Sequence, residues 1–336
     1  MQGMIRATVR RRVLRGGTLV LLGLAAAKAL AQAAPAPAEP SFEAHWQDGR
    51  AEISGYRYTI TRYGSQRLGQ AVAIYVTEPF SESRRVKVDD PKRDPADTFE
   101  ALKLNLVRDF QTGVYDYNTM VSVFVRSRDL SLAKLSFSSA EWCGHVYEEL
   151  LFDRGGAVRQ SLRSYFEGES TERSLPAPQV PGAAVPVVED QLFVLLRGLR
   201  GELLRPGEKR TVAFLPGTIV RRLAHQPLAF TSAVIERAAA PEVVQVPAGR
   251  IPSDLYTVRV ADGREGRFAI ERAHPHRIVR WSFTAPSRTG GGAGEASESG
   301  ELTGTARLEY WQLHDNGHER YLKELGLQPL PAPASR

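Results

Sequence analysis

The sequence predicts a mainly β fold, an antiparallel meander, sandwich or barrel, carrying one helix. Three observations predict it: apolar and polar residues alternate with period two over much of the chain, turn signals separate the runs, and a single leucine-rich stretch has helical spacing.

Residues 51–60 (AEISGYRYTI) and 70–76 (QAVAIYV) read as two strands joined by a loose turn around Gly64 and Gly69. Further strands are expected at 84–88, 101–110, 120–126, 132–138, 146–152 and 161–166, with 89–97 and its prolines as a polar loop. Prolines at 176, 178, 181 and 186 mark a connector over 173–187. After it, Leu192, Leu195, Leu196 and Leu199 recur at helical spacing, with Glu189 and Asp190 in the first turn, so a helix is expected over 188–200. Strands resume at 211–215, 228–236, 242–246, 255–260, 266–271 and 277–284. The Gly/Ser/Glu-rich stretch 286–301 is expected to be a mobile loop capping a hairpin closed by 302–313. One or two helical turns at 318–325 precede a disordered tail, 326–336.

Residues 1–31 have the three parts of a secretory signal. Arg6, Arg10, Arg11, Arg12 and Arg15 form a basic leader, residues 18–27 an apolar core too short to span a bilayer, and small residues follow. Cleavage is expected near Ala31 or Ala33, giving a periplasmic protein with a disordered Pro/Ala linker at 32–40 and no integral membrane segment. The arginine run fits a general secretory or a twin-arginine leader. The whole chain carries 44 basic and 38 acidic residues, a net charge of +6. Residues 1–31 hold six of the basic residues and none of the acidic ones, which leaves 38 against 38 and a net charge of zero. Charge therefore gives no reason to expect nucleic acid or an anionic membrane as partner. Cys143 is the only cysteine, so no internal disulfide forms, and burial is its commoner fate.

The string Asp109-Phe110-Gln111-Thr112-Gly113-Val114-Tyr115-Asp116-Tyr117, with Met120–Phe124 and Glu141-Trp142-Cys143-Gly144-His145, resembles an uncharacterised family of exported bacterial proteins. Some of its members carry the label "septum formation inhibitor Maf". The phosphate-binding loop of Maf nucleotide pyrophosphatases has no counterpart here. The second half, through Pro247-Ala248-Gly249 and His274-Pro275-His276, is similar to the periplasmic DUF3108-type domain. These resemblances span most of residues 45–285 and imply a broad, curved antiparallel sheet, half-barrel-like, without an established activity. Because the connector is short and one helix can hardly serve two cores, the halves 41–172 and 188–325 are expected to share one sheet, the helix on its concave face.

If residues 140–147 are extended, Glu141, Cys143 and His145 share a face. A thiolate–imidazolium pair there would activate a nucleophile, with Glu141 able to orient the ring only if the strand bends. In the structural alternative, Trp142 and Cys143 pack in the core and His145 bonds a backbone carbonyl. Tyr115, Tyr117, Trp142 and His145 are the candidate ligand-lining residues. His314 and His318 have metal-like spacing, but Asn316-Gly317 marks a turn, and His274 and His276 are expected to be exposed. No cofactor or metal is expected. The first functional expectation is a non-catalytic exported protein that binds an apolar ligand or a cell-envelope partner; the alternative is a secreted hydrolase using Cys143 and His145.

Overall fold

The computed structural model describes residues 40–178, 186–284 and 296–328. The expected leader and linker, most of the second half of the connector, residues 286–295 and the end of the tail lie outside the described residues.

A short helix, α1 (Phe42–Trp46), comes first, its N-terminus capped by the Ser41 hydroxyl, which accepts from the Ala44 N–H at 3.2 Å. Eight strands then run as an uninterrupted meander: β1 (Ala51–Arg62), β2 (Ser65–Ser81), β3 (Thr98–Thr112), β4 (Tyr115–Arg126), β5 (Leu132–Glu141), β6 (Gly144–Phe152), β7 (Val158–Ser164) and β8 (Thr171–Leu175). The second half holds β9 (Val187–Val188), β10 (Lys209–Leu215), β11 (Thr231–Arg237), β12 (Glu242–Val246), β13 (Gly249–Val260), β14 (Glu265–Glu271), β15 (Ile278–Thr284) and β16 (Ala296–Leu308).

All sixteen belong to one large, curved, open sheet, mostly antiparallel. Its path runs from β8 back to β1, across to β16, then through β15, β14, β13, β11 and β10 to β9. The halves are welded in the middle, because β1 pairs with both β2 and β16. The expected single sheet is therefore what forms.

Alternation places the core. In β6, Val146, Glu148, Leu150 and Phe152 are buried while the residues between them are exposed or half-buried. The apolar ones among these inward positions join those of the second half in one cluster on the concave side. A smaller cluster covers the convex side of β1 and β16, where Leu325 ends a 3-10 helix (His318–Leu325) and Leu327 follows it. That approach needs glycine. Gly55 and Gly304 are directly paired, and a Cβ on either would lie 2.2 Å from a backbone oxygen of Leu325 or Glu324.

The leucine-rich helix is shorter than its spacing implies. Residues Glu189–Gln191 form a 3-10 turn and Leu192–Leu195 a single α turn, α2, after which Gly198 at φ +66° reverses the chain. Its position on the concave face is as expected. Phe193 packs edge-on against Trp281 at 5.2 Å and Phe268 at 5.4 Å. Glu189 and Asp190 are buried, so they serve side-chain partners rather than an exposed helix end.

Four other expectations need correction. Residues 84–88 form no strand: they follow a turn at 82–84, where the Asp97 carboxylate accepts from the Ser83 N–H at 2.8 Å, and Lys87 makes a single bridge to Phe80. The strand expected at 302–313 starts earlier, at Ala296, and ends at Leu308, so part of the supposed mobile loop is paired with β15. Strand β8 lies in what read as the approach to the connector. A third helix, α3 (Thr218–Leu223), occupies a stretch with no expected element. Among the described residues no helix is long and apolar enough to cross a membrane, which says nothing of crossing by strands.

Candidate functional site

The end of β1, the start of β16 and the turn before β14 converge at one end of the concave side. There they border a half-open cavity of about 400 Å³, one wall of which is α3. Ile60, Ile219, Val220, Leu223 and Ala224 give it an apolar wall, and Arg62, Asp262, Arg264 and Glu298 supply charged groups. The short helix is fixed by ion pairs rather than by length. Arg221 donates to both oxygens of the buried Glu148 on β6, at 3.2 and 2.9 Å. The Asp190 carboxylate accepts from the Thr218 N–H at 2.9 Å, satisfying a donor that the first helical turn leaves open.

The polar side of the cavity is a set of buried pairs. Glu298, only 3% exposed, accepts from the Tyr58 hydroxyl at 2.8 Å and from Arg108 at 3.3 Å. Arg264, 6% exposed, donates from one terminal nitrogen to Glu189 at 2.9 and 3.2 Å and from Nε to Asp262 at 2.9 Å. Its other terminal nitrogen, Nη2, is buried and has no hydrogen-bond partner among the described residues. Burial pushes the Glu189 carboxyl up to about 7, with neighbouring Asp190 adding to the shift and Arg264 opposing it. Burial opposes the Arg264 charge, but the Glu189 and Asp262 carboxylates together outweigh it and raise its pKa.

The hairpin turns at this end carry an aromatic rim. The Tyr63 hydroxyl lies 2.9 Å from that of Tyr117 and accepts from that of Tyr115 at 3.1 Å. The Arg62 guanidinium lies 4.3 Å from the centre of the Tyr63 ring, and the Tyr115 and Trp142 rings are 6.5 Å apart. Burial, then the Glu141 and Tyr63 hydrogen bonds, raise the Tyr117 hydroxyl pKa strongly. Three of the four candidate ligand-lining residues, Tyr115, Tyr117 and Trp142, thus come together. They stand beside the cavity rather than in its wall; Arg62 connects the two.

His145 is not among them. Trp142 and Cys143 form the two-residue turn between β5 and β6, so Glu141 pairs with Gly144 and Ala140 with His145. The turn ends the alternation on which a shared face for Glu141, Cys143 and His145 depended. Glu141 continues the inward row of Phe137 and Ser139, whereas His145 precedes inward Val146 and faces solvent. The core alternative fails as well, since Trp142 is 71% exposed and Cys143 is exposed. Gly144 has a separate reason: a Cβ there would lie 2.4 Å from the Tyr165 ring.

No family model matches the chain, and no curated protein matches it. Two solved structures are similar in outline. One is a β-barrel-like protein of a domain of unknown function, DUF1849, from Brucella abortus. It is 10% identical, aligned over 77% of this chain and 98% of that chain, with a TM-score of 0.44. The other is a DUF1089 family protein from Pseudomonas aeruginosa, 9% identical over 53% of this chain and 82% of that chain, with a TM-score of 0.31. Neither likeness bears on function.

His274 and His276 depart from expectation, whereas His314 and His318 do not. His274 and His276 are half-buried, the His274 ring 4.6 Å from that of His45, and the Pro275 and His276 carbonyls accept from Arg197. His314 and His318 sit around an exposed turn in which the His318 Nδ1 accepts from the Asp315 N–H. Sequence reasoning missed α3, Arg264 and Glu298. Pro216-Gly217 followed by Ile219, Val220 and Leu223 at helical spacing was the signal for α3. Glu298 was hidden inside a stretch whose composition reads as linker.

Proposed function

We propose that the protein is an exported, periplasmic, non-catalytic binding protein that holds an apolar ligand in the cavity under α3. One observation carries the reading: an apolar-walled space of about 400 Å³ opens beside a few fixed polar groups, the composition of a small-ligand site. The aromatic rim supports it. Tyr63, Val114, Trp142 and Tyr165 are exposed on the turns at the same end, a surface suited to an envelope partner that delivers or receives the ligand. Export rests on the three-part leader of residues 1–31. The hydrolase reading lacks an oriented base, because Glu141 and His145 lie on opposite faces.

Native mass spectrometry of the protein purified from a periplasmic fraction tests this reading. The expected spectrum carries an additional small apolar mass on the mature chain, absent when Val220→Trp and Leu223→Trp are introduced together. A bare mature chain in both samples would contradict it.

A further inference from the structure

We infer that the aromatic rim is a docking edge for a lipid surface of zwitterionic headgroups. The inference rests on the proposed export and names the envelope partner of that reading; it does not depend on the cavity.

The turns of the meander β1–β8 differ between its two ends. At one end lie Tyr63-Gly64, Gly113-Val114, Trp142-Cys143 and residues 165–170. Each of these turns holds a large apolar side chain out in water: Tyr63, Val114, Trp142 and Tyr165 are between 58% and 77% exposed. Leu68 and Tyr147, on strands close to the same turns, bring this end to six of the nine large apolar side chains exposed among the described residues. At the other end, turns 127–131 and 153–157 present Arg128, Asp129, Asp153 and Arg154, and the 82–97 loop exposes only Val86 of this kind. Turns that face water are ordinarily polar, so the first end is built for a different neighbour. Tyr63 also sits at φ +55°, a left-handed backbone that favours asparagine or glycine, so the turn itself does not call for a ring.

The four apices form one row. The Tyr115 hydroxyl donates to Tyr63 at 3.1 Å, the Tyr115 and Trp142 rings are 6.5 Å apart, and the Tyr165 ring lies over Gly144. Strand spacing makes the row about 29 Å long from the first turn to the last.

Shape and charge point to lipid. The apices expose roughly 600 Å² in a strip one side chain wide, short of the about 800 Å² per partner of a standard protein interface. Trp and Tyr join an apolar ring to one polar atom, the combination suited to the headgroup layer. The four turns, with two residues on either side of each, carry Arg62 and Arg163 against Asp116, Glu141, Glu167, Glu169 and Glu172. Arg163 pairs with Glu172, and Glu169 with His225. That leaves Arg62 facing three carboxylates, with His145 adding a charge only when protonated. Such an edge is repelled by anionic lipid, whereas the ammonium of a zwitterionic headgroup meets both the carboxylates and the ring faces.

Flotation of the whole mature protein with dioleoylphosphatidylcholine vesicles tests the assignment. Wild type is expected to float with the vesicles, and the Val114→Ser, Trp142→Ser double variant to lose at least about tenfold in partition coefficient. Replacing about a third of the lipid with dioleoylphosphatidylglycerol is expected to weaken wild-type binding, most at low salt. Val243→Ser with Trp311→Ser, which removes exposed apolar side chains elsewhere, is expected to bind as wild type does. Equal binding by the tip variant with a wild-type circular dichroism spectrum, or binding that requires the anionic lipid, would overturn the docking edge. So would wild type that stays off the vesicles, and a dimer lost in the tip variant would then assign the row to a second copy of the chain. Saturable binding of an apolar naphthylamine dye to wild type in any of those cases leaves the cavity reading standing; vesicle docking without dye binding would overturn the cavity reading alone.

Discussion

The Arg264 guanidinium donates to both oxygens of the Glu189 carboxylate, at 3.2 and 2.9 Å, and both side chains are more than nine-tenths buried. This pair ties the turn before β14 to the 3-10 turn that precedes α2, beside a cavity that α3 borders. Its consequences are measurable because the carboxyl is not settled in its charged form.

Glu189 is pushed up to about 7 by burial, above its ordinary value of 4.5. Between those values the folded chain holds a proton that the unfolded chain has lost, so this group's contribution to stability falls as pH rises through the window. In Glu189→Gln that contribution is absent. Urea midpoints at pH 5 and pH 8 are expected to show the variant gaining on wild type as pH increases. An equal difference at both values would contradict the assignment.

Breaking the Arg221–Glu148 pair strands a charge, as both side chains are no more than 1% exposed. Glu148→Ala is expected to lower the unfolding free energy by about 3–5 kcal/mol in urea titration. Replacing both partners with Leu and Met is expected to cost less than either single substitution to Ala. Equal costs would mean that the pair does not hold α3.

Phe193 carries much of the packing on the concave face. Phe193→Ala is expected to cost about 3–5 kcal/mol by the same titration, through lost contact with Trp281 and Phe268. A loss below about 1 kcal/mol would show that α2 is a loose plug.

Cys143 lies in an exposed turn, and a thiol reagent is expected to modify it rapidly in the native protein. The rate should be the same in His145→Ala. A rate that drops severalfold in that variant would restore the thiolate–imidazolium pair and with it the hydrolase reading.

The sheet was legible because alternation is a local signal. Along β3 and β6 the buried rows follow the apolar residues of the sequence, with Arg108, Thr112 and Glu148 as the polar exceptions, and the two-residue turn at Trp142-Cys143 breaks the row between β5 and β6. The leucines of 192–199 correctly announced an apolar element, but the same spacing fits a short plug buried on every side. The cavity was not legible. Its polar groups come from residues 62, 262–264 and 298, brought together only because β1 pairs with β16 and the β13–β14 turn folds to the same end. Glu189 and Asp190 had the pattern of an exposed helix start, and only their distant partners Arg264 and Thr218 reveal another use.

The central claim, that the space under α3 is a ligand site, is tested most directly by titrating an apolar naphthylamine dye into wild type and into the Val220→Trp, Leu223→Trp double variant. The account predicts one saturable site in wild type and its loss in a variant that retains the wild-type circular dichroism spectrum. Saturable binding of equal affinity in both proteins, or none in wild type, would contradict it.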